Sequence, residues 1–301
     1  ALAGHAQPAG AAADPGGLRA PLPGLERGAV RPGHARMDGA VQAFGGGHGL
    51  AGAGAGGGER APGAGRADGG HVGPAGGRDA DGGPRFDAPV GPGAYLWWYV
   101  DALSDDGRHA LTIIAFVGSV FSPYYRRRWQ QGRAQAVEHC ALNVVLYSPG
   151  AGRWTMPERG ARHVSRRPHS FQVGPSALHW EGDALVIDID EWAQPLPRPV
   201  RGRVVVHPES RCSEVVTLDA AGRHRWGPIA PSARVTVDLP QPGLRWSGPG
   251  YLDSNEGDEP VTEAFVAWDW MRARRADGSS VVVLSLIHIS EPTRPNNRSS
   301  M

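Results

Sequence analysis

The sequence predicts an all-β protein, an antiparallel sandwich or barrel. Three observations carry that prediction. Short β-branched and aromatic runs recur from Phe86 onward, turn dipeptides such as Asp-Gly and Gly-Asp separate them, and no apolar period sustains a helix of about ten residues. A closed barrel of about eight strands encloses one small apolar ligand.

Residues 1–85 stand apart. More than half of the 44 glycines of this 301-residue chain lie there, Phe44 is their only aromatic, and all 10 tryptophans come later. Such a segment buries too little surface to offset its ordering entropy, so it is expected to be a disordered leader, read as GC-rich upstream sequence rather than native protein. The length suits one large domain or two smaller ones. All the Lys+Arg cations are arginines, and the net charge of +1 argues against a nucleic-acid partner. The first residues lack a basic start and an apolar segment, so no signal peptide is visible, and no apolar run approaches the ~20 residues that span a bilayer.

From Phe86 the strands follow in order. YLWWYVDAL (95–103) and HALTIIAFVG (109–118) flank the hairpin signal Asp106-Gly107. The Arg-rich YYRRRWQQGR reads as a loop, and its arginines 126, 127, 128 and 133 around Trp129 suit either solvent or anionic lipid head groups. HCALNVVLYS (139–148), SFQVG, ALHW and DALVIDIDEW (183–192) come next, the last preceded by Gly182-Asp183. RGRVVVHP (201–208), EVVTLDAAGRHRW (214–226), ARVTVDLP (233–240) and a pair within 264–284 complete the set. Cys140 and Cys212 are expected to be buried, reduced thiols. The tail from Ser285 changes composition. LSLIHISEPTR (284–294) resembles a translated library adaptor, so 285–301 is expected to be artefactual and the protein truncated near Leu284.

The stretch Arg223 to Pro260 carries the candidate chemistry. His224 and Trp226, and then Tyr251 and Asp253, sit two residues apart, the spacing that puts strand residues on one face. Together they would gather an imidazole, an indole, a phenol and a carboxyl group. Burial against aromatics keeps a carboxyl protonated near neutral pH, whereas a turn-capping role for Asp253 needs no burial. His224 alone reads as a surface residue and Trp226 alone as core. Asp253, Glu256, Asp258 and Glu259 fail as a calcium loop, because Gly257 stands where an oxygen ligand belongs. Asp188 and Asp190 alternate with Ile187 and Ile189 as an ordinary half-buried strand, and His139 shares a face with Asn143 as a structural or cavity-lining pair.

These segments resemble the acyclic carotenoid 1,2-hydratase (hydroxyneurosporene synthase) family over Phe86 to Leu284. The resemblance runs through FDAPVGPGAYLWWYVDALSDDG, HCALNVVLY, DAAGRHRWGPIAP and LRWSGPGYLDSNEGDEP. It implies two linked lipocalin-like β domains, 86–230 and an incomplete 231–284. It also implies cofactor-free, metal-free addition of water across the terminal double bond of neurosporene or lycopene. The family's functional positions fall on His224, Trp226, Tyr251 and Asp253. In that reading Asp253 is the acid, Trp226 and Tyr251 shelter the cation, and His224 orients the acid or the water, or takes up the water's proton. Partners would be the carotenoid, water and membrane lipid, at a cytoplasmic site peripheral to the inner membrane. A non-catalytic carrier of an apolar ligand and a cyclase of the same fold are the competing readings.

Overall fold

The structure, a computed structural model, describes residues 35–36, 76–275 and 279–288. The strands are β1 (Ala35–Arg36), β2 (Tyr95–Leu103), β3 (Ala110–Val117), β4 (Cys140–Tyr147), β5 (Arg153–Thr155) and β6 (Glu158–Arg159). Then come β7 (Val164–Arg167), β8 (Ser170–Val173), β9 (Ser176–Glu181), β10 (Ala184–Trp192), β11 (Pro199–Ser210) and β12 (Val216–Thr217). β13 (His224–Gln241), β14 (Leu244–Gly257), β15 (Phe265–Arg274) and β16 (Ser280–His288) complete them, with helices α1 (Pro123–Gln130) and α2 (Val261–Ala264).

The all-β expectation holds. Thirteen strands form one antiparallel sheet with the path β5-β4-β3-β2-β14-β13-β11-β10-β9-β8-β7, while β1, β15 and β16 form a second, three-stranded sheet. The turns sit where the dipeptides placed them: Gly107 and Gly182 take φ of 68° and 61°, the left-handed region that glycine enters without steric cost. The large sheet curls on itself. Leu142 and Val144 of β4, near one end, share a core with Phe171 and Leu178 of β8 and β9, near the other. Trp98 of central β2 closes on Phe171 with ring centres 5.8 Å apart. The result is a curled antiparallel half-barrel with its apolar core inside the curl.

The structure bears on several expectations. The leader is expected to extend to residue 85, yet part of its last ten residues packs on the sheet: Trp98 Nε1 donates to the Gly77 carbonyl at 3.0 Å, and Arg78 is only 4% exposed. A single arginine with enough backbone acceptors can be buried where composition argues for solvent. The domain boundary after residue 230 falls inside β13, a strand of one sheet whose register shifts between Pro228 and Ala233. The Arg-rich loop is a helix, α1, with Ser122 as N-cap accepting from Tyr125 N–H at 3.0 Å and Pro123 in its first turn. β16 runs to His288, past the residue-284 break in composition. Residues 276–278, with their Asp277-Gly278 turn, 289–301 of the tail, and the leader before residue 76 except 35–36 lie outside the described residues.

Candidate active site

Strand alternation decides where the polar chemistry lies. In β2, Leu96, Trp98, Val100 and Ala102 enter the barrel core, so Tyr95, Trp97, Tyr99 and Asp101 point to the opposite face. In β14, Leu252 enters the core, and Tyr251, Asp253, Asn255 and Gly257 share that opposite face. The register lays these residues side by side. Asp253 lies between Tyr99 and Pro228, Asn255 between Trp97 and Trp226, and Gly257 between Tyr95 and His224.

β15 roofs this face. Trp270 packs against Tyr99 and Tyr251, with ring centres 5.0 and 5.4 Å apart, and Trp268 packs against Trp97 at 6.0 Å. Phe265 meets His224 edge-on at 5.0 Å. Arg272 donates to both carboxylate oxygens of fully buried Asp101 and lies 5.6 Å from the Tyr251 ring. The outer face of the central strands and β15 therefore enclose an aromatic trough with few polar atoms.

Asp253 is the centre of it. The side chain is 1% exposed. Its Oδ2 accepts from Trp226 Nε1 at 2.7 Å and from Tyr251 OH at 3.0 Å, while Asn255 Nδ2 stands 3.5 Å from Oδ1. Burial pushes its pKa up from 3.8 to about 7, against the two donated hydrogen bonds and the charge of Arg78, which favour the anion. Arg78 reaches the strand pair from the core side, donating to Ser254 Oγ at 3.0 Å and the Pro228 carbonyl at 2.8 Å. Burial also lifts the Tyr251 and Tyr99 phenols well above their usual range, so both stay neutral donors.

Three of the four expected residues converge: Trp226, Tyr251 and Asp253. His224 lies in the same trough but pairs with Gly257, four residues from Asp253 and roughly 13 Å along β14 at 3.3 Å per residue. Its Nδ1 pairs with Tyr95 OH at 2.9 Å, and its Nε2 lies 3.5 Å from Glu259 Oε1 without hydrogen-bond alignment. Burial lowers its pKa, opposed by Asp219 and Glu259, so the ring is neutral at neutral pH. Sequence reasoning missed Tyr99, Asn255, Trp270, Asp101 and Arg272. The available signal was the same two-residue spacing, in Tyr95-x-Trp97-x-Tyr99-x-Asp101 and Trp268-x-Trp270-x-Arg272.

The remaining candidates are structural. Arg225 holds Glu256 at 2.7 Å and Asp258 at 2.9 Å, and Arg223 holds Glu259, so these carboxylates serve ion pairs rather than an open loop. Asp188 and Asp190 pair with Arg203 and Arg201, while His139 pairs with Glu158. Asn143 Oδ1 accepts from Trp154 Nε1 at 3.0 Å. Both cysteines are free thiols; Cys140 is buried and pushed up to about 12, whereas Cys212 is half-buried rather than buried. Among the described residues, no three His, Cys, Asp or Glu side chains converge on a point that could hold a metal. A cavity of about 950 Å³ opens elsewhere, beside β6, β7 and β8, lined by Glu138, Glu158, Arg159 and His163. Its charged lining suits water rather than an apolar ligand, and none of the trough residues reaches it.

Residues 113–290 match the family described as carotenoid hydratase CrtC. The chain belongs to the carotenoid hydratase family. Within it, the acyclic carotenoid 1,2-hydratase of Rubrivivax gelatinosus is 58% identical over 276 residues, covering 90% of this chain and 68% of that protein. The enzyme of the same name from Thiocapsa roseopersicina is 52% identical over 269 residues, covering 89% and 66%. This hydratase-family chain thus spans about two thirds of the length of either relative. The longer alignment exceeds the stretch from 86 to 284, so it takes in part of residues 1–85. A solved structure of a protein described as AttH from Nitrosomonas europaea aligns at 14% identity and a TM-score of 0.39, over 64% of each chain.

Proposed function

We propose that this chain hydrates the terminal C1=C2 bond of an acyclic carotene such as neurosporene or lycopene. One observation carries the reading: a carboxyl group with a pKa of about 7 is buried under aromatic rings in a chain of the carotenoid hydratase family. Because Oδ2 already accepts two hydrogen bonds, the acidic proton belongs on Oδ1. Transfer of that proton to C2 leaves a tertiary cation at C1. The rings of Tyr99, Tyr251 and Trp270 pack on one another next to Asp253, and a desolvated cation gains up to about 2 kcal/mol from a ring face. Water then bonds to C1, and the oxonium returns a proton to the Asp253 carboxylate.

Trp226 and Tyr251 therefore act chiefly as donors to Asp253, with the Tyr251 ring also facing the cation. His224 closes the far end of the trough with Tyr95 and Phe265 and does not touch the acid. Every step uses side chains of this chain and water. Expression in a lycopene-producing host tests the reading: the parent chain yields hydroxylated carotenoid carrying oxygen from labelled water, and Asp253→Asn yields none. Undiminished product from the variant overturns the acid assignment. Carotene bound and recovered unchanged by the parent chain marks a carrier, and a ring product free of labelled oxygen marks a cyclase.

We further propose that the chain meets its substrate at the cytoplasmic face of the inner membrane. Phe121 and Tyr124 are 43% and 70% exposed, and Arg126, Arg127 and Arg128 on α1 are exposed beside them. Phe121 contacts Phe116, which contacts Trp97, so rings lead from this basic surface into the trough. Near an anionic surface each arginine contributes about 1 kcal/mol. Binding to vesicles containing phosphatidylglycerol should fall at least tenfold when all three arginines become glutamate. Equal binding to neutral phosphatidylcholine vesicles overturns this reading. No helix among the described residues is long and apolar enough to cross a membrane.

A further inference from the structure

A hydratase must hold its second reactant as firmly as its first, and water cannot be held by hydrocarbon contacts. A buried water needs two to four polar partners. The trough is almost wholly aromatic, so any polar atom in it without a partner stands out. Two such atoms, Asn255 Oδ1 and Trp270 Nε1, belong to residues beside Asp253 and Tyr251, and the oxygen of Tyr99 adds a free lone pair. Asn255 and Tyr99 are 4% and 8% exposed. The Tyr99 hydroxyl hydrogen leans toward Asp101 and favours that carboxylate, so what the hydroxyl leaves free is an oxygen lone pair.

Their placement is shared. Tyr99 is the direct cross-strand neighbour of Asp253, and Asn255 is two residues along the same face of β14. Trp270 covers both Tyr99 and Tyr251 from β15. The Asn255 amide has only one contact to Asp253, at 3.5 Å, so turning it over exchanges which end is unpaired and still leaves one polar atom free. A buried unpaired polar group costs about 1–3 kcal/mol. Two among these aromatic rings, near the acid and with the Tyr99 lone pair beside them, call for a common ligand.

We propose that Asn255, Tyr99 and Trp270 form the binding site for the water molecule that captures the cation, an inference that rests on the hydratase reading. Trp270 Nε1–H donates to one lone pair of the water oxygen. The Asn255 carbonyl and the Tyr99 oxygen accept its two hydrogens. The second lone pair then faces C1. When the C–O bond forms, the oxonium turns one hydrogen from Tyr99 to the neighbouring carboxylate that Asp253 exposed by protonating C2, and transfers it there, so the acid is restored and one water is consumed. If the water is missing, the cation can only give a proton back, from C2 or from a methyl group on C1. The first loss regenerates the substrate, and the second gives an alkene isomer.

The test follows from that branching. Trp270→Phe and Tyr99→Phe each keep the ring and delete one polar atom. Both are assayed with the full chain and lycopene in deuterated buffer, reading hydrated product and deuterium in recovered carotene by mass spectrometry. The ratio of exchange plus isomerisation to hydration should rise about tenfold for each variant, the worth of one hydrogen bond. Asp253→Asn should abolish both. Hydration and exchange falling in parallel in the Phe variants, or an unchanged ratio, overturns the proposal. A high-resolution crystal structure of the parent chain gives a second reading that needs no variant to fold. An ordered water within hydrogen-bond reach of Asn255 and Trp270 supports the site, and a dry pocket overturns it. A parent chain that neither hydrates nor exchanges overturns the hydratase reading itself.

Discussion

Asp253→Asn separates stability from chemistry in a way that can be worked from the structure. The folded carboxyl titrates at about 7 and the unfolded one near 3.8. The folded state therefore holds its proton more tightly, and ionisation favours unfolding. The sign follows directly. The contribution of this group to stability is full below pH 3.8, falls as pH rises toward 7, and stays constant above. A gap of about three pH units at 1.36 kcal/mol each gives a loss on the order of 4 kcal/mol. Asparagine has the same shape and carries no titration. In the difference between parent and variant, titrating groups remote from Asp253 cancel. Urea unfolding at half-unit steps from pH 4 to 8 should show the variant gaining about 1.4 kcal/mol per pH unit relative to the parent, levelling off near pH 7. Activity should move the other way, absent in the variant and falling in the parent above about pH 7 as the acid loses its proton. Parallel stability curves across that range would mean Asp253 ionises normally, and the buried-acid argument would fail with them.

Other perturbations probe the supports of the site. Trp226→Phe removes a donor that favours the anion, so the alkaline limb of the pH–rate profile should move up by about one unit, read also by NMR titration of the carboxyl. Arg272→Ala leaves buried Asp101 without its partner and should cost about 3–5 kcal/mol in urea unfolding, whereas pairing it with Asp101→Asn should recover most of the loss. Gly257→Ala places a Cβ 2.3 Å from Tyr95 Cε1 and 2.7 Å from His224 Nδ1, so it should destabilise by about 1–3 kcal/mol and disrupt the Tyr95–His224 bond.

Much of this was legible in residue order. Two-residue spacing puts Trp226, Tyr251 and Asp253 on one face, and the structure brings their side chains together, because both strands of that pair show alternation around obvious turns. It placed His224 on the correct face but not at the acid, since register along a strand is set by pairing that sequence alone does not reveal. β2 was found as a strand while its chemistry stayed hidden. YLWWYVDAL is aromatic or apolar on both faces apart from Asp101, so the spacing Tyr95-x-Trp97-x-Tyr99-x-Asp101 is easily taken for a second packing face. Trp270 and Arg272 act only because β15 folds back over the larger sheet, a contact between distant segments. α1 was read as loop because three consecutive arginines outweighed the Ser122-Pro123 start signal. Arg78 was invisible inside a glycine-rich segment, its role resting on backbone carbonyls of Cys212 and Pro228.

The sheet is also a partition. Even-numbered positions of β2 build the barrel core, and odd-numbered positions line the trough. Each central strand thus carries two texts interleaved letter by letter, one for folding and one for chemistry. A lineage can rewrite the second text, exchanging acid for amide or ring for aliphatic, without disturbing the first. A single inserted residue would scramble both at once. Diversification on this scaffold should therefore proceed by substitution at alternate positions of the central strands, with length changes confined to the turns.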